Sequence, residues 1–219
     1  MSRRQPDESR HNQRELICYR EASHVVANAA MGRLVDSFEI WRNPDVGWAG
    51  VTWRSIRRSE IVTDVWGIVD RRTLAQQPCA VSSSVVQSNQ LGWHDECITL
   101  AAGVIGEAMR AIELGMDGDN IISQVLSDEG YTDFTCCRDM IQENHAYSAG
   151  DERVESTLMQ VVTEAWTLIN DQSLWSIVKA VVAEIPASMP NTSGVSVQFT
   201  ELSPTLADGL RNLSEKHFR

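Results

Sequence analysis

Arg20-Glu21-Ala22-Ser23-His24 is the stretch whose side chains could act together on one centre. Positions 20 and 24 are four apart, so on a helix their side chains emerge one above the other on the same face. Two His at that spacing, with a Glu directly after the first, grip one Zn²⁺ and set the Glu as general base on the metal-bound water. Here the Glu and the second His are present, and Arg20 stands where the first His would be. A guanidinium stays protonated and has only donors to offer, so Arg20 cannot be a metal ligand. It brings a fixed positive charge instead, in a fork shaped for carboxylates.

The elements that must position these groups follow from the pattern around them. Residues 14–32 read as a helix with apolar or small residues on nearly every side, from Leu16 to Met31, and with Gly32 as its stop. A helix apolar almost all round is a central one. Residues 37–42 and 48–56 read as two strands flanking the turn chemistry of Asn43-Pro44-Asp45-Val46-Gly47, with Phe38 and Ile40 on one face. Trp41, Trp48 and Trp53 load this hairpin with aromatic surface that covers core and rim. Ser59 can cap a helix running through Ile61 to Leu74, and residues 78–92 read as a connecting loop. Asp95 is placed to cap a second important helix, 96–114, stopped by Gly115. Within it Gly103 and Gly106 allow a neighbouring helix to come close, and Glu107 lies among apolar residues, where a carboxylate needs a partner. Asp117-Gly118-Asp119 precedes a helical run at 120–126, where Asp119 serves equally as a helix cap or a site residue. Further helices are predicted over 131–147, from Asp151, and from Asp171 to Ile185. Pro186 and Pro190 end the regular pattern, leaving a short strand at 195–199 and an amphipathic helix at 205–217 that could dock on the body or on a partner.

Several of these segments resemble one family in order along the chain. Tyr19-Arg20-Glu21-Ala22-Ser23-His24-Val25-Val26-Ala27 resembles the YHEAGHAVVA helix of the FtsH-type zinc metallopeptidases. Ala49-Gly50-Val51-Thr52-Trp53 resembles that family's LGYTW segment, and Leu100-Ala101-Ala102-Gly103-Val104-Ile105-Gly106-Glu107 its LLAGRAAE helix. Residues 115–126 resemble the segment that follows, where an Asp at the start of a helix is the family's third zinc ligand. Asp119 is the best match to it and Asp117 the close rival. The resemblance runs over residues 14–185 and implies a mainly α domain with a small β-hairpin or sheet, an α+β class. Residues 1–13, charged and polar without periodicity, read as a flexible tail, and 186–219 are left as a C-terminal extension. The resemblance implies a peptidase-like part standing alone, because the chain has no GxxxxGK[ST] phosphate loop and no membrane anchor.

The resemblance further implies that Arg20, His24, Glu107 and Asp119 converge, since the family's Asp binds zinc and the Glu matching Glu107 supports a zinc-binding His. Two functions follow. In the first, Arg20 replaces the metal electrostatically and pairs with Glu107, Asp119 or both, no cofactor is expected, and a catalytically impaired pseudo-metallopeptidase binds a protein or peptide. In the second, His24, Asp119 and a substitute ligand such as His94 or His145 hold zinc, and Glu21 is the general base of a working peptidase. Zinc normally needs about three protein ligands, and a guanidinium a few ångströms away adds repulsion of several kcal/mol even at an effective dielectric of about 20. Both effects favour the first.

Composition excludes other classes. A formal net charge of −11 argues against nucleic acid, whose phosphates demand a basic face. No run approaches the roughly 20 apolar residues of a spanning helix, and the polar first residues are no secretory signal. Five Cys without paired CxxC spacing suit reduced thiols and a cytoplasmic protein. A homo-oligomer stays open.

Overall fold

The computed structural model describes residues 6–33, 35–43, 47–54, 92–117, 122–123, 132–148, 150–186, 195–198 and 201–216. Among them run α1 (Pro6–Ala30), β1 (Val35–Asn43), β2 (Gly47–Arg54), α2 (Trp93–Glu113), α3 (Thr132–His145), α4 (Glu152–Ile169), α5 (Gln172–Ala183), β3 (Val195–Gln198) and α6 (Pro204–Lys216). The chain is mainly helical with one small antiparallel sheet, an α+β class. The helix predicted over 59–74, the loop at 78–92 and the helical run at 120–126 lie wholly or mostly outside the described residues.

α1 is the axis of the molecule. Ala22, Val26 and Ala27 are fully buried, and the helix packs along α2 on one side and against the sheet, α5 and α6 on the other. It ends as Gly32 predicts. Gly32 adopts φ +73°, its N–H donates to the carbonyl of Ala29, and the Arg33 N–H donates to that of Asn28. This paired closure satisfies carbonyls that the last turn leaves open, and it needs a residue at ease with positive φ. The helix begins at Pro6 and not at Arg14, so most of the expected tail is helical. Proline suits a first turn, and a helix already nucleated extends at little cost through residues of adequate propensity.

Two apolar cores flank α1. One lies between α2, α3 and α4 around Ile105, Phe134, Met140 and Leu158. The other joins α1 to Phe38 and Ile40 of β1, Val178 and Val181 of α5, and Leu206 and Leu210 of α6. The sheet has order β2-β1-β3, with β1 paired to both neighbours. The segment read as a C-terminal extension therefore closes the body: β3 pairs with β1, and the apolar stripe of α6 seats in the second core. Asp151 caps α4 and Asp171 caps α5, each accepting backbone N–H bonds as its position predicts. α2 starts at Trp93, before Asp95. Gly92 is its cap residue without a side-chain bond, and Asp95 and Glu96 sit in the first turn, where acids favour the helix dipole.

Among the described cysteines Cys18, Cys97 and Cys137 are free thiols, whereas Cys136 is disulfide-bonded, which corrects the expectation of reduced thiols there. Neighbours on a helix point about 100° apart, so Cys136 and Cys137 meet different surroundings. Among the described residues no helix is long and apolar enough to cross a membrane.

Candidate functional site

α1 aims its functional residues in two directions. Arg20 and His24, one turn apart, face α2 and α3, while Glu21 points to β2. Close approach is what lets this happen. A Cβ on Gly103 of α2 would run into the His24 ring, and one on Gly106 would run into the Ser23 hydroxyl. On β2, a Cβ at Gly50 would stand 2.5 Å from Cγ of Glu21. Side-chain-free positions on α2 and β2 thus make room for the polar groups of α1.

Arg20 is the hub. One Nη donates to Oδ2 of Asp133 at 2.5 Å, and the other lies 3.6 Å from Oε2 of Glu107. The side chains of all three are 11–14% exposed, so the ion triad is nearly dry. It ties α1 to α2 through Glu107 and to α3 through Asp133. The sequence reading expects Glu107 near Arg20, and the two are together. Asp119, its other expected acid, lies outside the described residues, and its rival Asp117 is exposed just beyond α2.

The acid that does meet Arg20, Asp133, is the residue the sequence reading missed. It occupies the first turn of α3, where the positive end of the helix dipole favours a carboxylate. The signal in the sequence is weak: Thr132-Asp133 opens a run that reads as helical, and an acid at a helix start is common.

His24 is oriented as a metal-ligating imidazole would be. Its Nδ1 lies 2.9 Å from the carbonyl of Thr99, which only accepts, so Nδ1 carries a proton and donates it. Nε2 is left facing Oδ2 of Asp133 at 3.6 Å. Burial by itself would lower the pKa of this ring, but the Asp133 carboxylate outweighs it, and the pKa of His24 is raised above its ordinary 6.5. Asp133 shows the reciprocal effect. Burial works to raise it, yet the Arg20 charge and the His24 ring hold it well below the usual carboxylate range. Glu21 is 2% exposed and accepts from the Thr52 hydroxyl at 2.7 Å. Burial pushes its pKa up, against the charges of His24 and Arg20.

A zinc ion would need about three protein donors. Nε2 of His24 and the Asp133 carboxylate are two, and the group that completes their surroundings is a guanidinium that already uses the carboxylate. Among the described residues no three His, Cys, Asp or Glu side chains are grouped to hold a metal ion. His94 pairs with Glu164 at 3.1 Å, and His145 lies between Trp93 and Tyr147, so neither ring supplies the substitute ligand. The described residues do not fit zinc. Of the aromatic hairpin, Trp41 is half-buried, and the side chains of Trp48 and Trp53 lie outside the described ones. No family model, curated protein or solved structure matches this chain.

Proposed function

We propose that this chain is an FtsH-peptidase-like protein without peptidase activity, in which the Arg20 guanidinium does the electrostatic work of a metal ion and the domain acts in the cytoplasm by binding a protein or peptide. The observation that carries this reading is the bond from Arg20 Nη to Asp133 Oδ2 at 2.5 Å beside an imidazole whose Nε2 faces the same oxygen. A metal-ligand set would present His, His and Asp to one cation; here one His position is itself the cation, and the acid is already engaged. Glu21 keeps the position of a general base but has no activated water to serve, and its contact with Thr52 joins α1 to the hairpin instead.

The test is Arg20→His. The replacement restores an imidazole one turn before His24 and releases Asp133, so the variant should take up Zn²⁺ at about one equivalent, read by metal analysis after dialysis and by the visible spectrum of the Co²⁺ form. The wild-type chain should take up none under the same conditions. Stoichiometric zinc in the wild type that disappears in His24→Ala would favour the alternative, a working zinc peptidase with Glu21 as base. Failure of Arg20→His to gain metal would mean that His24 and Asp133 are not poised as ligands.

A further inference from the structure

Behind the ion triad, α2 and α3 bring two thiols face to face. Cys97 and Cys137 are both fully buried, and each sulfur lies against the other residue's backbone: Sγ of Cys97 is 3.9 Å from the carbonyl oxygen of Cys137, and Sγ of Cys137 is 3.6 Å from that of Cys97. Such a reciprocal contact requires the two helices to cross closely at this point. Burial and then the neighbouring Cys97 thiol push the Cys137 thiol well up. Cys137 sits one helical turn after Asp133, and Cys97 sits two residues before Thr99, whose carbonyl holds His24. The pair therefore joins the same two helices that hold Asp133 and the Thr99 carbonyl.

We infer that Cys97 and Cys137 form a disulfide site that covalently locks α2 to α3. The oxidant is a low-molecular-weight disulfide. One cysteine thiolate attacks it, forming a mixed disulfide and releasing one reagent thiol. The second cysteine then attacks the protein-side sulfur and releases the other reagent thiol. Two cysteine thiols are oxidised, one reagent disulfide is reduced to two thiols, and the two cysteine protons end on those thiols. Zero exposure and a raised thiol pKa make the folded pair slow to react, so the bond closes while the chain folds or when α3 opens. Once made, it closes a loop across a sequence separation of 40 residues and restrains the unfolded chain. The inference stands on the α2–α3 contact alone and does not depend on what Arg20 replaces.

The test uses the full chain, reduced and unfolded, then refolded in a buffer of oxidised and reduced glutathione. Remaining thiols are blocked with iodoacetamide, and the peptides are mapped by mass spectrometry. A peptide of α2 joined to one of α3 through Cys97 and Cys137 is expected, retained in Cys136→Ala and lost in both Cys97→Ala and Cys137→Ala. In the Cys136→Ala background, which lacks the other disulfide, the oxidised protein should melt several degrees above the same protein kept reduced, a difference that adding Cys97→Ala removes. Cys97 and Cys137 both recovered as blocked thiols from folded, oxidised protein would overturn the assignment, as would Cys137 joined to Cys18 or Cys136. A Cys97–Cys137 bond without any rise in the melting temperature would overturn its role as a lock. Neither result bears on zinc uptake by Arg20→His, so the two readings fail separately.

Discussion

Two arginines from the first segment of the chain are buried against α2, and they are balanced in different ways. Arg33, just past the end of α1, is 6% exposed and meets Glu96 at 3.0 Å, with the Asp95 carboxylate at 4.0 Å and the Gly92 carbonyl at 3.4 Å. Among the described residues these partners belong to the start of α2, and none is an imidazole. Arg20, within α1, faces two carboxylates from two different helices and shares one of them with His24. The Arg33 group is a staple that joins the end of α1 to the first turn of α2 alone, one cation against two acids. The Arg20 group joins three helices, and the second cation that can offset its two acids is His24. Three helices meeting at one guanidinium, with an imidazole of fixed tautomer on the shared acid, is what separates the Arg20 group from a joint between two elements.

The comparison can be broken by deleting each cation. Arg20→Ala leaves Asp133 and Glu107 facing each other in a nearly dry space, and removing one partner of a buried pair costs about 3–5 kcal/mol. Arg33→Ala strands only one acid in a buried setting, Glu96 at 8% exposure, since Asp95 is 30% exposed, so its loss should fall toward the lower end of that range. Urea unfolding of the two variants measures both. Equal losses, or a greater loss for Arg33→Ala, would mean that the Arg20 group is only another staple.

A smaller effect is expected from Gly103→Ala. The added methyl would occupy space held by the His24 ring, so the ring must turn away from Thr99 or α2 must move back from α1. Overpacking of this kind costs about 1–3 kcal/mol. Gly209, which has open space around a built Cβ, is the control on α6, and Gly209→Ala should be neutral or stabilising. A destabilisation that is the same at both positions would show that His24 is not held by close helix packing.

Much of this was legible in the sequence, for reasons that differ by residue. The i to i+4 spacing of Arg20 and His24 fixes their common face on any helix, and the apolar surround of α1 marks it as central before any partner is known. Gly103 and Gly106 announce a close crossing, because small residues inside an otherwise apolar helix face have few other uses. Glu107 follows from the difficulty of burying an acid without a counter-charge. Asp133 did not follow, since many acids open helices and only the packing of α3 on α2 selects one. β3 and α6 were seen as elements but set apart from the body, because prolines at 186 and 190 mark a break in local pattern and carry no information on where the chain returns. The Cys97–Cys137 contact was also hidden: sequence separation gives no sign that α2 and α3 cross at those two positions.

The mildest prediction sharpens the comparison with Arg20 and both of its acids left in place. His24 has its folded pKa raised above 6.5, so its contribution to stability is full below that pH and is lost as pH rises through the folded value. Asp133 is depressed below its ordinary 3.8, so its contribution is full above that pH and is lost as pH falls toward the folded value. Glu21, raised above 4.5 by burial, adds a loss on the rising side that begins lower than that of His24. Melting temperature measured from about pH 3 to about pH 9 should therefore decline on the alkaline side, and His24→Gln should flatten the part of the decline above pH 6.5 while leaving the acid limb, below pH 3.8, to Asp133. The Arg33 group has no histidine and should contribute nothing to that window, so Arg33→Ala should lower the whole curve without changing its shape. An alkaline limb that persists in His24→Gln would place the neutral titration elsewhere and leave the two acids around Arg20 without their second counter-charge.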